Sequence, residues 1–576
     1  MPSTTPNGET TKAKAKLHGR AFYESIGSPK FVLAPMVDQS EFAWRMLTRS
    51  FLTPAENSKV LAYTPMFHAR LFEETAKYRD SHFEAIQPST SPLGTSSSTN
   101  LEELPKPVPF LDGNPAFDRP LFVQFCANDA EHLFSAATQV APYCDAVDLN
   151  LGCPQGIARK GHYGAFLQEN QELVYKLINT LHEKLPVPVT AKIRILENKE
   201  DTLAYAKNVL AAGASIITVH GRRREQKGHL TGVADWEYLR YLRDNLPKET
   251  VIFANGNILQ HEDLERCLEM TGADAVMSAE GNLSDPAIFA QLPAPGQEGR
   301  EYWRGKDGKG GYRVDGVFRR YMDIIHKHIL QCDPPTRRPL FVVGDDETWI
   351  AEGKAKDAEQ EEEGPARKKR KKDSGGKVEK CTSPNLVAIR PHLFHLLRHF
   401  ISAHTDIREA LARCYVGDIP AIENVLDMVE RRVTNGLIEY ERTGGKSMEE
   451  PEPVPKVGQE KETAEGKSGD AEDDQESSVA TVKKCKRPWW VAQPIIRPLP
   501  KEALANGSIS LSKKEKKKQQ LAGKTADAAS VKGDTNGTAR ETNRGVEEEL
   551  PKADVLGGAK EPNLNVERPA DELVCG

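Results

Sequence analysis

The chain has 576 residues, 28% of them charged, 38% hydrophobic and 7% aromatic, with a formal net charge of −6. Four stretches, 1–19, 86–108, 345–384 and 444–576, are poor in apolar residues and rich in Lys, Glu, Gly, Ser or Pro. They cannot bury enough apolar surface to offset their ordering entropy, so about 360 residues remain for one large domain and a small one. The longest apolar runs, near 187–195 and 216–219, fall far short of the roughly 20 residues that span a bilayer. The opening MPSTTPNGETTKAKAKLHGR has no apolar stretch after its basic residues, unlike a secretory signal. Nine cysteines occur singly without a CxxC pair, which argues against a disulfide scaffold and a zinc ribbon. A soluble protein of the cytoplasm or nucleus is expected.

From residue 31 onward, short apolar and partly β-branched runs recur at 31–36, 61–66, 121–127, 146–152, 187–195, 216–221, 251–256 and 275–281. Continuous apolar runs of this length suit strands buried on both faces of a parallel sheet. Helical patterns fill most gaps, over 130–140, 168–185, 201–211, 236–245 and 261–270. Eight β-then-α units in about 265 residues predict a TIM (β/α)8 barrel, a fold of roughly 250 residues. A doubly wound α/β sheet is the alternative, but no GxGxxG follows the first strand.

A barrel places its chemistry at the carboxyl ends of its strands. Those ends carry Ala34-Pro35-Met36, Thr64-Pro65-Met66, Gln124-Phe125-Cys126 and Asn150 through Pro154. The second half continues with Lys192-Ile193-Arg194, His220-Gly221-Arg222, Asn255-Gly256-Asn257 and Ser278-Ala279-Glu280-Gly281. So ordered a set describes a polar, ligand-lined mouth on an apolar barrel.

The run from Asp148 to Pro154 (DLNLGCP), followed by Lys160, Gly164-Ala165 and Leu167, resembles the catalytic segment of the tRNA-dihydrouridine synthases. The other strand ends fall in that family's order and spacing. PMVDQS (35–40), YTPMFHARLF (63–72), FCAND (125–129) and MSAEGNL (277–283) resemble its eukaryotic branch, which acts on positions 16 and 17 of the tRNA D-loop. The resemblance is close over about 28–295 and looser in the helical segment after it. It implies an FMN-dependent enzyme that reduces tRNA uridine to dihydrouridine, with NADPH or NADH as reductant.

Under that resemblance Cys153 is the proton donor; an unperturbed thiol, with a pKa of about 8.5, is mostly protonated at neutral pH. Cys126 is read as core. The family likeness puts Lys192 and His220 on the flavin, and Gln124 suits the flavin's pyrimidine edge because its amide both donates and accepts. Pro35, Met36 and Val37 would pack under the ring. Asn255, Gly256, Asn257, Ala279 and the backbone amide of Glu280 would cradle the phosphate. Many relatives have Gly-Arg where this chain has Ala279-Glu280. Asn150, Arg194 and Arg222 are candidate substrate contacts, with FMN phosphate a second option for Arg222.

After the barrel, 318–330 and 385–442 read as helices. Leu393, Leu396, Leu397, Phe400 and Ile401 form one apolar stripe, and Ile422, Val425, Leu426, Val429 and Val433 form another. His392, His395, Arg398, His399, Arg408 and Arg413 are expected on the opposite faces. The family likeness makes this segment a tRNA-gripping helical domain; a solvated charged face is the bland reading. Without Cys or carboxylate partners the histidines do not suggest a metal. The basic run 367–372 reads as a nuclear import signal, a phosphate-binding arm or a solvated charge block, with 513–518 a weaker case. Trp489 and Trp490, followed by Ile495-Ile496, are expected to fold back on the body.

The expected organisation is a disordered arm (1–27), a barrel (28–295), a small all-α domain (310–443) holding a disordered insertion (345–384), and a mostly disordered tail (444–576). A monomer is expected. An FMN oxidoreductase of free pyrimidines is the second hypothesis, opposed by the basic helical segment. A non-catalytic RNA-binding barrel is the third, opposed by the presence of Cys153, Lys192 and His220 together.

Overall fold

The computed structural model describes residues 16–57, 59–87, 108–349, 382–448 and 487–496. The N-terminal 15 residues, both basic runs and most of the tail lie outside the described residues. Eight strands form a closed, all-parallel barrel: β1 (Phe31–Leu33), β2 (Val60–His68), β3 (Leu121–Cys126), β4 (Ala146–Leu151), β5 (Val189–Arg194), β6 (Ile216–His220), β7 (Val251–Asn255) and β8 (Ala275–Ser278). Strand β1 pairs in parallel with both β2 and β8, which closes the ring.

Where strand ends differ from expectation, backbone chemistry is the cause. The first strand stops at Leu33 because Pro35 has no N–H to extend the ladder. There the chain turns, with Asp38 at φ +56 and the Met36 N–H donating to Ser40 Oγ. Strand β2 runs longer than expected, to His68, by shifting register between Tyr63 and Met66, around Pro65. The helices begin at their caps: Asp129, Asn170, Asn198 and Asp235 each accept from a first-turn N–H of the helix that follows. This is why the helix expected from 168 starts at Gln171 and the one expected from 201 starts at Lys199.

Beyond the barrel a short hairpin, β9 (Tyr302–Arg304) and β10 (Gly310–Tyr312), was not anticipated. Helices follow over Val314–Ile324, Pro384–Leu396, Arg398–Ala403, Thr405–Arg413 and Ile419–Thr443. Both apolar stripes are buried, and the barrel and these helices share one continuous core. The expected fold-back of the tryptophans is present: Trp490 is buried against Trp303, Tyr440 and Trp489. Main-chain hydrogen bonds run from Val314 N to Trp490 O and from Ala492 N to Tyr312 O. Among the described residues no helix is long and apolar enough to cross a membrane.

Two of the six basic positions on the helices are not solvent-facing. His392 is fully buried, stacks on Trp44 with ring centroids 3.9 Å apart, and hydrogen-bonds Glu41 at 3.0 Å. His395 lies 3.3 Å from the Gln39 amide nitrogen. Arg398, His399, Arg408 and Arg413 are exposed.

Glu84, on the loop after β2, accepts from the Asn385 side-chain amide at 2.8 Å, joining the barrel to the helix Pro384–Leu396. Burial, with the Asp112 carboxylate beside it, pushes Glu84 up to about 7 from an ordinary 4.5. Between those values the folded chain keeps a proton the unfolded chain has lost, so this group's stabilising contribution falls as pH rises through the window. Glu84→Gln keeps the acceptor and removes the charge. It should raise unfolding free energy by about 1–3 kcal/mol near pH 8 and change it little near pH 4.5, as read by denaturant titration at both pH values.

Candidate active site at the carboxyl end of the barrel

Ladder partners in a parallel sheet share a face, and residues two apart on a strand share one too. Gln124 pairs with Asp148, Thr190 with Asp148, Lys192 with Asn150 and Thr218, Arg194 with His220, and His220 with Asn255. One interior face therefore collects the polar ends of β3 through β7. All of these side chains are buried.

Around Cys153 they form a continuous hydrogen-bonded chain. The Thr190 hydroxyl donates to Asp148 Oδ1 at 2.6 Å, and Gln124 Nε2 donates to Asp148 Oδ2 at 2.8 Å. Asn150 Nδ2 donates to Gln124 Oε1 at 2.8 Å. Asn150 Oδ1 then accepts from the backbone N–H of Gly152 at 3.1 Å and of Cys153 at 2.9 Å. On the other side of the loop, Arg194 Nε donates to Gly152 O at 2.7 Å and Nη1 to Arg223 O at 3.2 Å. Gly164, at φ +65, lies so close that a Cβ there would stand 2.8 Å from Cys153 O and 3.0 Å from Cys153 Cβ. Any other residue at 164 would displace the cysteine. Cys153 packs with Cys126, Ala158 and Tyr163. Cys126, read as core, is buried beside it, and burial raises its thiol well above the usual range.

The second cluster centres on His220. Arg222 Nη1 lies 3.1 Å from His220 Nε2. An arginine only donates, so Nε2 accepts and the neutral ring carries its hydrogen on Nδ1. Burial, together with the nearby charges of Arg194, Lys192 and Arg222, lowers the His220 pKa well below 6.5. The rest of the Arg222 guanidinium donates to Thr231 O, Gly232 O and Asn257 Oδ1. Asn257 takes a left-handed φ of +60, and a Cβ on Gly256 would meet the His220 ring at 3.0 Å. Arg194 and Arg222, expected to reach substrate, thus bind the protein's own carbonyls. Asn150, expected to do the same, holds the cysteine loop.

Pro35 and Met36 are buried and Val37 half-buried in the turn after β1. Ala279 and Glu280 open the five-residue helix Glu280–Ser284 after β8. Sequence reasoning passed over Asp148 and Thr190 as site residues. Their signal is the polar-apolar-polar alternation of Asp148-Leu149-Asn150 on β4 and of Thr190-Ala191-Lys192 on β5. Lys227, whose Nζ donates to Pro154 O at 2.7 Å, carried no signal of its own.

Among the buried polar atoms without a hydrogen-bond partner in the described residues are His220 Nδ1, a donor by the argument above, and Asn255 Oδ1, an acceptor. They sit on ladder-paired residues, next to the cations Lys192, Arg194 and Arg222. Such a pair is complementary to a ligand that both accepts and donates and carries negative charge. No cluster of three or more His, Cys, Asp or Glu side chains suited to a metal occurs among the described residues.

A closed (β/α)8 barrel with a polar, cationic mouth and a loop-held thiol defines the class as TIM-barrel enzymes. A family model described as "Dihydrouridine synthase (Dus)" matches residues 32–304. A Schizosaccharomyces pombe protein named "tRNA-dihydrouridine(16/17) synthase [NAD(P)(+)]" is 40% identical over 488 residues, covering 84% of this chain and 92% of that protein. A Saccharomyces cerevisiae protein of the same name is 45% identical over 397 residues, 69% of this chain and 72% of that one. A Homo sapiens protein named "tRNA-dihydrouridine(20a/20b) synthase [NAD(P)+]-like" is 34% identical over 262 residues, 45% of this chain and 70% of that one. The chain belongs to the dihydrouridine synthase family.

The unfolded chain gains the His220 proton before the folded chain does, so acidification through 6.5 works against this site. Nitrogen-15 NMR of histidine-labelled protein should show one ring that stays neutral from about pH 8 down through the ordinary histidine range, as the Nδ1–H tautomer. Assignment comes from loss of that signal in His220→Gln. A His220 signal titrating near 6.5, or carrying its proton on Nε2, would contradict the arrangement.

Proposed function

We propose that the protein reduces uridines at positions 16 and 17 of the tRNA D-loop to 5,6-dihydrouridine, with FMN at the barrel mouth and NADPH or NADH as reductant. The observation that carries this reading is the buried thiol of Cys153, held at the end of β4 beside a cationic cluster. Its support from relatives is the match over 84% of the chain to a protein named for that reaction.

The reaction adds a hydride to carbon 6 and a proton to carbon 5 of uracil. Because the alkene is conjugated with the carbon 4 carbonyl, hydride arrival builds enolate charge that an acid must quench. FMN, when bound, supplies the hydride that no side chain can deliver. Lys192, His220 Nδ1–H and Asn255 Oδ1 would hold its polar edges, and Gln124 has amide valences beyond its bonds to Asp148 and Asn150. Pro35, Met36 and Val37 would line the ring. The phosphate would lie on the backbone of Gly256, Asn257, Ala279 and Glu280. The Cys153 sulfur gives its proton to carbon 5, contributing about 10²–10⁴-fold.

A uridine must leave its stack to reach Cys153, and a loop nucleotide is easier to splay out than a helical one. The exposed Arg398, Arg408 and Arg413 would meet RNA phosphates by charge; His399, beside Arg398, is held neutral by desolvation and by that charge. Transfer RNA is therefore the macromolecular partner this reading names.

Protein reduced anaerobically by NADPH should be reoxidised by tRNA lacking dihydrouridine, and not by free uracil or uridine, as followed by flavin absorbance. Cys153→Ala should slow reoxidation by about 10²–10⁴-fold with flavin content unchanged. Full-rate reoxidation of that variant by tRNA would remove the acid assignment. Reoxidation of the wild type by free pyrimidine would move the substrate class to small molecules.

A further inference from the structure

The proposed chemistry leaves Asp148 without a task. It is fully buried on β4, two residues before Asn150, and it is the terminus of the hydrogen-bonded chain that reaches the Cys153 amide. A primary carboxamide has one donating and one accepting end, so Gln124 and Asn150 could each sit in either of two orientations. What selects one is the pair of ends between which they are strung.

At the cysteine end, the backbone N–H groups of Gly152 and Cys153 can only donate, so Asn150 must present its oxygen. Its nitrogen then faces Gln124, which must present Oε1. The nitrogen of Gln124 is left facing position 148, which must accept. An ionised carboxylate is the one side chain there that accepts on both atoms, from Gln124 and from Thr190 at once. Burial raises Asp148, and its hydrogen bonds from Thr190 and Gln124 and the charge of Lys192 hold the rise to about 6. It is therefore mostly ionised at neutral pH.

We infer that Asp148 is the positioning residue of the Cys153 loop: it sets the orientation of the Gln124 and Asn150 carboxamides, which hold the Gly152 and Cys153 amides and aim the thiol. This rests on the reading of Cys153 as proton donor. Asp148 acts through two intermediaries and touches no reacting atom. Arg194 holds the same loop from the carbonyl side of Gly152, so the peptide that precedes Cys153 is gripped at both of its polar ends.

The directionality yields a charge-swap test. Gln124→Glu sets two acceptors face to face at Asp148. Adding Asp148→Asn restores every bond, with only the 124–148 bond reversed: residue 148 donates to the new carboxylate, still accepts from Thr190, and Asn150 keeps its orientation. Three quantities are measured on full-length protein: flavin reduction by NADPH, flavin reoxidation by tRNA, and alkylation of Cys153 by iodoacetamide, followed by peptide mass spectrometry. Gln124→Glu should slow reoxidation at least about ten-fold and accelerate Cys153 alkylation, with reoxidation normalised to each variant's flavin content and reduction rate because Gln124 is also a proposed flavin contact. The double variant should return reoxidation and alkylation to within about three-fold of wild type.

A double variant no better than Gln124→Glu in both readouts would overturn the inference, as would wild-type alkylation in Gln124→Glu. If alkylation follows the relay but Cys153→Ala reoxidises at full rate, the loop is positioned as inferred and the proton-donor reading is what fails. Asp148→Ala, should it fold, is expected to match Gln124→Glu; the double variant keeps the test decisive should it not.

Discussion

Three cations, Lys192, Arg194 and Arg222, are 3%, 5% and 7% exposed at the ends of adjacent strands, and the mouth of the barrel is built around their needs. A buried cation must replace its lost water with fixed acceptors. Arg194 takes Gly152 O and Arg223 O; Arg222 takes Thr231 O, Gly232 O and the Asn257 side chain. Each such bond pins a loop, so the loops after β4, β6 and β7 owe their shapes to the charges beneath them. Burial, reinforced by these three charges, expels the proton from His220, and Lys192 adds to the hydrogen bonds that oppose protonation of Asp148. Lys192 thus bears both on the neutral donor at His220 and on the acceptor at Asp148.

The parallel barrel makes this concentration of polarity tolerable. Below the mouth the strands are packed with Val, Leu, Ile, Ala and Phe at near-zero exposure. Parallel register then lines up each polar terminus with its neighbour instead of scattering them over two faces. A one-residue slip of β4 would turn Asp148 and Asn150 outward and place Leu149 against Gln124. The site is therefore as firmly specified as the hydrophobic pattern that sets the register.

The amino-acid sequence made the eight strands readable because burial on both faces leaves unbroken apolar runs, and their polar ends readable because so few residues interrupt those runs. Strand lengths were less readable at Pro35 and Pro65, where a missing N–H acts through the partner strand. The inward turn of Arg194 and Arg222 was hidden for a related reason: their acceptors are backbone carbonyls, which have no residue-type signature. Gln124 and Asp148 are 24 residues apart, and only the β3–β4 register brings them together. The hairpin β9–β10 went unread although Gly305 to Gly311 is rich in turn residues, because strands of three residues are too short to show alternation.

His392 is the instructive miss among the helices. Its helix, Pro384–Leu396, buries a stripe of Asn385, Ala388, Ile389, His392, Leu393 and Leu396 in which two polar residues interrupt the apolar ones, and a histidine outside the apolar stripe that starts at Leu393 reads as solvent-facing. The face it occupies is buried instead against the turn and helix after β1, where it stacks on Trp44 and binds Glu41. On the same helix Asn385 accepts from Ala43 N, and His395 meets Gln39. Those partners follow directly on Pro35, Met36 and Val37, the residues proposed to line the flavin. The helical segment is thus the wall behind the β1 turn as well as an outer surface. The exposed Arg398, Arg408 and Arg413 lie on the two helices that follow Pro384–Leu396, so the charged surface and the wall behind the β1 turn belong to consecutive helices packed into one core.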